Sequence, residues 1–274
     1  MKRLLHHFTI AALLAAAAVA TAGQAYAAAT PWAEDAGGRM RLIVSPPADD
    51  GTIQAALQVE PEDGFITYWR EPGESGIPPQ ITVSGTGNAH LETIEYPVPK
   101  RLSVAGMTDM GYDAPVTFPL ILKTDPGALP SLSVNAFIGL CKDICIPFQT
   151  TFDIPADADA FAETPVDKAI LAVARTRLPE QPSEGFHADD AMLTDSGMRI
   201  LLTLPNGSSE SEITLANSNG FIVEAEARPF EDGGFVVDIP LSALPEDADP
   251  MDGDWLLLVK SDGRAMETPL VITP

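Results

Sequence analysis

The sequence predicts a mainly β protein, two β-sandwich domains joined by a short helix and a linker. Three observations carry that expectation. Short segments rich in β-branched and aromatic residues recur along the chain. Clusters of Pro, Gly, Asn and Asp punctuate them, and 25 prolines with 21 glycines leave little room for long helices. One stretch near the middle has both helical start chemistry and helical spacing.

The chain opens on Met1-Lys2-Arg3, an apolar run over residues 8–20, and Ala25-Tyr26-Ala27. That order is the pattern of a cleavable export signal, residues 1–27, with the cut after Ala27. The apolar run is short for a membrane span. The expectation is therefore a periplasmic protein with no stable membrane insertion after cleavage. The net charge is −23, and −25 once Lys2 and Arg3 are gone. Such a surface repels phosphate backbones and anionic lipid, which argues against nucleic acid as a partner.

A first domain is expected over residues 28–160. Its candidate strands are residues 39–45, 52–60, 65–70, 81–84, 90–96, 116–123, 131–138 and 146–154. Many short strands with turn residues between them fit a sandwich. Helix and linker follow over residues 161–185. Thr164 is a good N-cap, Pro165 suits the first helical position, and Asp167 sits in the first turn. Ala169, Ile170, Val173 and Ala174 supply the spacing, and residues 178–185 read as a linker. The second sandwich, residues 186–274, has candidate strands at 198–204, 212–216, 221–228, 235–239, 254–260 and 265–272. Asp262-Gly263 reads as a hairpin turn.

The chemistry centres on two cysteines, Cys141 and Cys145, in Cys141-Lys142-Asp143-Ile144-Cys145-Ile146-Pro147. They fall between two strand candidates, so they close or flank a hairpin turn. Export to an oxidising compartment and an even count argue that they pair. Closing so short a loop stabilises a fold by only roughly 2 kcal/mol, and a chain of this size builds a core without staples. The spacing thus suits thiol–disulfide exchange better than stapling. A structural bridge in a scaffold or binding module stays open, as does Cu(I) binding. Two thiolates can hold Cu(I), with Met107 and Met110 as further soft ligands, although methionines so spaced commonly pack. A closed zinc site needs four ligands, and beyond the export signal the only histidines are His90 and His187. No cofactor is expected, and no hydrolase or phosphate-binding motif competes. Lys142 favours a neighbouring thiolate, while Asp143 opposes it. Pro147 is expected to end the cysteine turn, because it cannot donate to a ladder.

Residues 64–154 resemble the N-terminal periplasmic domain of the DsbD/ScsB group of transmembrane thiol–disulfide reductases, most closely the ScsB-like (copper-sensitivity suppressor) branch. The resemblance rests on Tyr68-Trp69-Arg70-Glu71-Pro72-Gly73-Glu74-Ser75-Gly76-Ile77-Pro78-Pro79, Tyr96-Pro97-Val98-Pro99-Lys100-Arg101, Gly111-Tyr112-Asp113 and the cysteine segment. It implies immunoglobulin-like sandwiches, the first carrying Cys141 and Cys145 as a redox pair in a protein-disulfide reductase system. It further implies a membrane-embedded thiol reductase as electron donor and oxidised periplasmic proteins as acceptors. Tyr68 matches an aromatic that shields the sulfurs, and Trp69 and Tyr112 are further candidates beside them. Ordinary strand packing is the competing reading of all three. This sequence shows no multi-span region and no thioredoxin-like segment, so the donor is expected to be a separate protein. Its C-x3-C spacing is tighter than in the best-known branch. The segment comparable to that branch's acidic, aromatic cap is read as a loop over residues 100–106, which holds no carboxylate.

Overall fold

Alternation along the strands decides which side chains meet. The computed structural model describes residues 28–73, 76–104, 106–205, 211–230, 233–244, 250–251 and 253–274. The expected export signal, residues 1–27, lies outside them. The first half contains β1 (Ala33–Asp35), β2 (Gly38–Val44), β3 (Thr52–Pro61), β4 (Thr67–Tyr68), β5 (Gln80–Gly85), β6 (His90–Ile94), β7 (Lys100–Val104), β8 (Met107–Tyr112), β9 (Val116–Lys123), β10 (Leu132–Cys141) and β11 (Cys145–Ile154). They form antiparallel sheets in the orders β1-β2-β3-β9-β6, β11-β10-β5 and β4-β8-β7.

The first two sheets face each other across one core. Met40, Leu42 and Val44 of β2, Ile53, Ala55, Leu57 and Val59 of β3, and Phe118, Leu120 and Leu122 of β9 point inward from one side. Leu132, Val134, Ala136, Ile138 and Leu140 of β10 meet them, every second residue as strand geometry requires. Tyr96 and Tyr112 pack edge-on against Phe118, with ring centroids 5.7 and 5.4 Å away.

Helix α1 (Pro165–Arg175) follows. Thr164 accepts from the Asp167 amide, and the Asp167 carboxylate accepts from the Thr164 amide, a reciprocal cap. Leu171 packs with Ile43 and Ala56 on the outer side of the first sheet. The expected linker is pinned. Glu180 bridges Met266, its backbone bonds Ala265 and Glu267, and its carboxylate takes Arg264.

The second half holds β12 (His187–Thr194), β13 (Gly197–Thr203), β14 (Ser211–Asn217), β15 (Ile222–Ala225), β16 (Arg228–Pro229), β17 (Phe235–Pro240), β18 (Trp255–Ser261) and β19 (Arg264–Leu270). Sheets β12-β13-β17-β16 and β15-β14-β18-β19 enclose a core around Phe186, Leu215, Val237 and Leu257. Ala216 and Leu258 point the other way and join the first core, so the two sandwiches meet on apolar surface. The expected fold class holds.

Two local expectations do not. Residues 100–106 are not a loop: β7 pairs with β8, turning through Gly106 at φ 87°. Gly supplies that backbone conformation without a Cβ penalty. Pro147 does not end the cysteine turn either; it lies inside β11, opposite Gly139. β11 is an edge strand, where a missing N–H costs no ladder bond.

Phe118 is fully buried between two tyrosines. Phe118→Ala is expected to cost about 3–5 kcal/mol, and Thr164→Ala about 0.5–2 kcal/mol through the lost cap. Urea unfolding of the two variants checks both values.

Candidate redox site

Cys141 ends β10 and Cys145 begins β11, with Lys142, Asp143 and Ile144 between them. They are register partners at the last rung of the hairpin. The Cys141 N–H donates to Ile66 O at 2.9 Å, and the Ile66 N–H donates to Cys141 O at 2.8 Å. Both backbone groups of Cys141 therefore point away from β11. That makes Cys141/Cys145 a non-hydrogen-bonded pair, the kind in which facing side chains come closest. Their Cα atoms are 4.1 Å apart and the sulfurs are bonded.

Alternation also chooses the face. The even-numbered residues of β10 fill the core, so Gly139 and Cys141 look outward. A small apolar cluster covers them: Ile66, Tyr68 and Cys141, with Ile77 and Leu102 packed against it. Tyr68 fits because two glycines make room. A Cβ on Gly139 would stand 3.3 Å from the Tyr68 ring and 2.6 Å from Ile77 Cβ, and one on Gly76 would stand 2.7 Å from the ring.

The two sulfurs differ. Cys141 is 1 % exposed, whereas Cys145 is exposed. The Tyr68 hydroxyl lies 3.4 Å from Cys145 Sγ. A disulfide sulfur has no proton, so Tyr68 is the donor. Burial, reinforced by nearby Asp109, pushes the Tyr68 phenol up to about 12. It stays protonated through the physiological range and can keep donating.

Lys142 sends its ammonium to Asp63 O at 3.4 Å and over the Phe65 ring at 5.7 Å, tying the turn to the segment before β4. Asp143 is exposed, and Ile144 is 75 % exposed at the tip. Trp69 and Tyr112 belong to the main core; Tyr112 donates to Pro97 O at 2.7 Å. Met110 is 1 % exposed in that core, and the side chain of Met107 lies outside the described residues. His90 bonds Asn88 O, and His187 bonds Ser183 O and Asp189. Neither histidine has a hydrogen bond to the cysteines among the described residues. Sequence reasoning missed Asp109 and Leu102. They are register partners on β7 and β8 and so share a face; recognising residues 100–112 as a hairpin would have found both. A cavity of about 1640 Å³ lies elsewhere, between α1 and the turn joining β18 to β19.

Residues 40–156 match the family described as thiol:disulfide interchange protein DsbD, N-terminal. This segment is similar to a DsbD N-terminal domain. The crystal structure of the N-terminal periplasmic domain of ScsB from Proteus mirabilis is 21 % identical, covers 89 % of this chain and 98 % of its own, and superposes with a TM-score of 0.66. The shared fold therefore spans both sandwiches. Pullulanase type I from Bacillus subtilis, 12 % identical over 82 % of this chain and 24 % of its own, aligns with a TM-score of only 0.22. No curated protein matches the chain. The family match and a bonded cysteine pair together fit thiol–disulfide exchange. No helix among the described residues is long and apolar enough to cross a membrane.

Tyr68 and Tyr96 are both pushed up to about 12, chiefly by burial. Unfolded tyrosine ionises near pH 10. Below that both states keep the proton, and stability is unaffected. Above it the unfolded chain gives the proton up while the folded chain holds it, so stability falls as pH rises from about 10 through about 12. Urea midpoints across that window are expected to drop in the wild type and to drop less in Tyr68→Phe. Gly139→Ala is expected to displace the Tyr68 ring and to speed reduction of the disulfide by dithiothreitol.

Proposed function

We propose that this protein is a periplasmic thiol–disulfide carrier, using Cys141 and Cys145 to pass reducing equivalents from a membrane-embedded thiol reductase to oxidised periplasmic proteins. The observation that carries this reading is the asymmetry of the pair: one sulfur buried under a cap, the other exposed and hydrogen-bonded to Tyr68. A bridge serving only as a staple gains nothing from presenting one sulfur.

The cycle follows from that geometry. In the dithiol state the Cys145 thiolate, stabilised by the Tyr68 hydroxyl, attacks one sulfur of a partner disulfide. The partner bond breaks, a mixed disulfide forms, and the partner's other sulfur leaves as a thiolate and takes a proton. Cys141 then loses its proton and attacks Cys145 Sγ. This closes the Cys141–Cys145 bond and releases the partner's second thiolate, which is protonated in turn. The partner has gained two electrons and two protons; the pair has lost them. A thiolate of the donor restores the dithiol by the reverse route, entering again at Cys145. Ile144 beside Cys145 offers a docking protein an apolar foothold.

The apolar surroundings of Cys141 disfavour its thiolate, which suits a resolving rather than an attacking role. Export by residues 1–27 would deliver the chain to the compartment where such exchange takes place.

Equilibration against glutathione with thiol trapping tests the reading. The expected potential lies above about −300 mV; a lower value with unreactive sulfurs marks a structural bridge and sinks the proposal. Cys141→Ser is expected to accumulate a mixed disulfide through Cys145, and Cys145→Ser to accumulate far less. Tyr68→Phe should move the pH midpoint of Cys145 alkylation upward, through loss of a hydrogen bond to the charged form.

A further inference from the structure

The sheet β4-β8-β7 has two faces, and they look at different things. Leu102 on one face packs against Ile66, Tyr68 and Cys141. Its register partner Asp109, on the same face, is fully buried and lies near enough to Tyr68 to act on its phenol. Arg101, next to Leu102, must point the other way. There its guanidinium meets the Glu224 carboxylate of β15 at 2.6 Å.

A second tie runs in parallel. Arg70, two residues beyond Tyr68, bonds Glu267 of β19 at 2.7 Å. Its guanidinium also lies 5.6 Å from the Trp69 ring centroid and 4.7 Å from that of Tyr96. The strand that carries Tyr68 and the strand that carries Leu102 are thus each fastened to the second sandwich. Behind them Trp69 and Met110 share one apolar cluster with Ala216 and Leu258 of that sandwich.

We propose that the second sandwich positions the redox site: through Arg70–Glu267 and Arg101–Glu224 it holds the covering sheet on Cys141 and the Tyr68 hydroxyl on Cys145. Arg70, Arg101, Glu224 and Glu267 are positioning residues; they act on the sulfurs through Tyr68 and Leu102. The inference rests on the exchange reading, since it concerns how reactive Cys145 is.

The two ties are unequal. The side chains of Arg101 and Glu224 are 59 % and 35 % exposed, so salt and water weaken their attraction. The Glu267 side chain is only 12 % exposed. Its second oxygen and Arg70 Nε have no hydrogen-bond partner among the described residues. Removing one member of that pair leaves a poorly solvated charge behind, a heavier loss than cutting a surface pair.

The test is the pH profile of iodoacetamide alkylation at Cys145 in the reduced mature chain, read by mass spectrometry. Glu267→Gln is expected to move the Cys145 midpoint upward and, at alkaline pH, to speed labelling of the covered Cys141 about three- to tenfold by loosening the cover. Glu224→Gln should do the same more weakly, and 1 M salt should imitate it in the wild type. The exchanged pair Arg101→Glu with Glu224→Arg should restore the wild-type profile. In a Tyr68→Phe background neither Gln variant should shift the midpoint further, because both act through the same hydroxyl. A loss of general stability would not produce that pattern. If Glu267→Gln fails to fold, the exposed Glu224 variant, the exchanged pair and the salt series decide alone. Folded variants with an unchanged profile overturn the clamp, while Tyr68→Phe still shifting the midpoint leaves the exchange reading standing. A wild-type bond that glutathione cannot open removes the exchange reading itself.

Discussion

Ile66 takes both backbone groups of Cys141, and much follows from that pair of hydrogen bonds. It turns the end of β10 away from β11, so the rung below the turn is a non-hydrogen-bonded one and the two sulfurs face each other at close range. The same parity puts Gly139 and Pro147 on an equivalent rung, where the proline's missing N–H would have pointed to solvent. It sends the sulfurs to the outward face of the sheet, leaving Leu140 to the core. A shift of one residue in register would bury Cys145 and expose core side chains together. The site is therefore only as variable as the hairpin register, which the sandwich core fixes along ten rungs.

A bond so placed contributes little to holding the fold. Its loop is short, so the entropy it removes from the unfolded chain is worth roughly 2 kcal/mol. The strands it joins are already held by their ladder and by the core beneath. On the exchange reading, that suits a bond that opens and closes in use. On the same reading, control over it lies in the cover. Ile77, Leu102 and the Tyr68 ring close over Cys141, while Cys145 stays open at the edge with a protonated phenol beside it.

Much of this is legible in the sequence, and the parts that are not have physical reasons. Period-two alternation locates most strands, because one face of each is buried. Thr164, Pro165 and Asp167 mark the helix start through chemistry that works locally. The cysteine hairpin can be read from spacing. The hairpin of β7 and β8 cannot be read so easily, since its two faces are occupied by unlike things: Leu102 and buried Asp109 toward the sulfurs, Arg101 and Met110 toward the second sandwich and the core. Neither face looks simply apolar or polar, and the pattern passes for a loop. β12 fails for a related reason, with its adjacent acidic residues Asp189 and Asp190 and a register shift between Ala188 and Asp190. Among the aromatics, Tyr68, Trp69 and Tyr112 look alike in sequence. The resemblance picks out Tyr68, and the structure sends it to the sulfur while Trp69 and Tyr112 join the core. With 39 acidic residues in the chain, nothing singles out Asp109 beforehand.

The order of events in an exchange cycle is already contained in the burial of the two sulfurs. A thiolate on Cys141 would sit among Ile66, Tyr68 and Leu102, where a charge is poorly solvated. One on Cys145 has solvent on one side and a phenol proton on the other. On the exchange reading, charge therefore collects on the sulfur a partner can reach. The other sulfur attacks only at short range, once a mixed disulfide has formed beside it. That arrangement needs no conformational change to assign the two roles. It needs only that the cover stay shut over Cys141 and open at Cys145, a condition set by a phenol ring seated between Gly76 and Gly139.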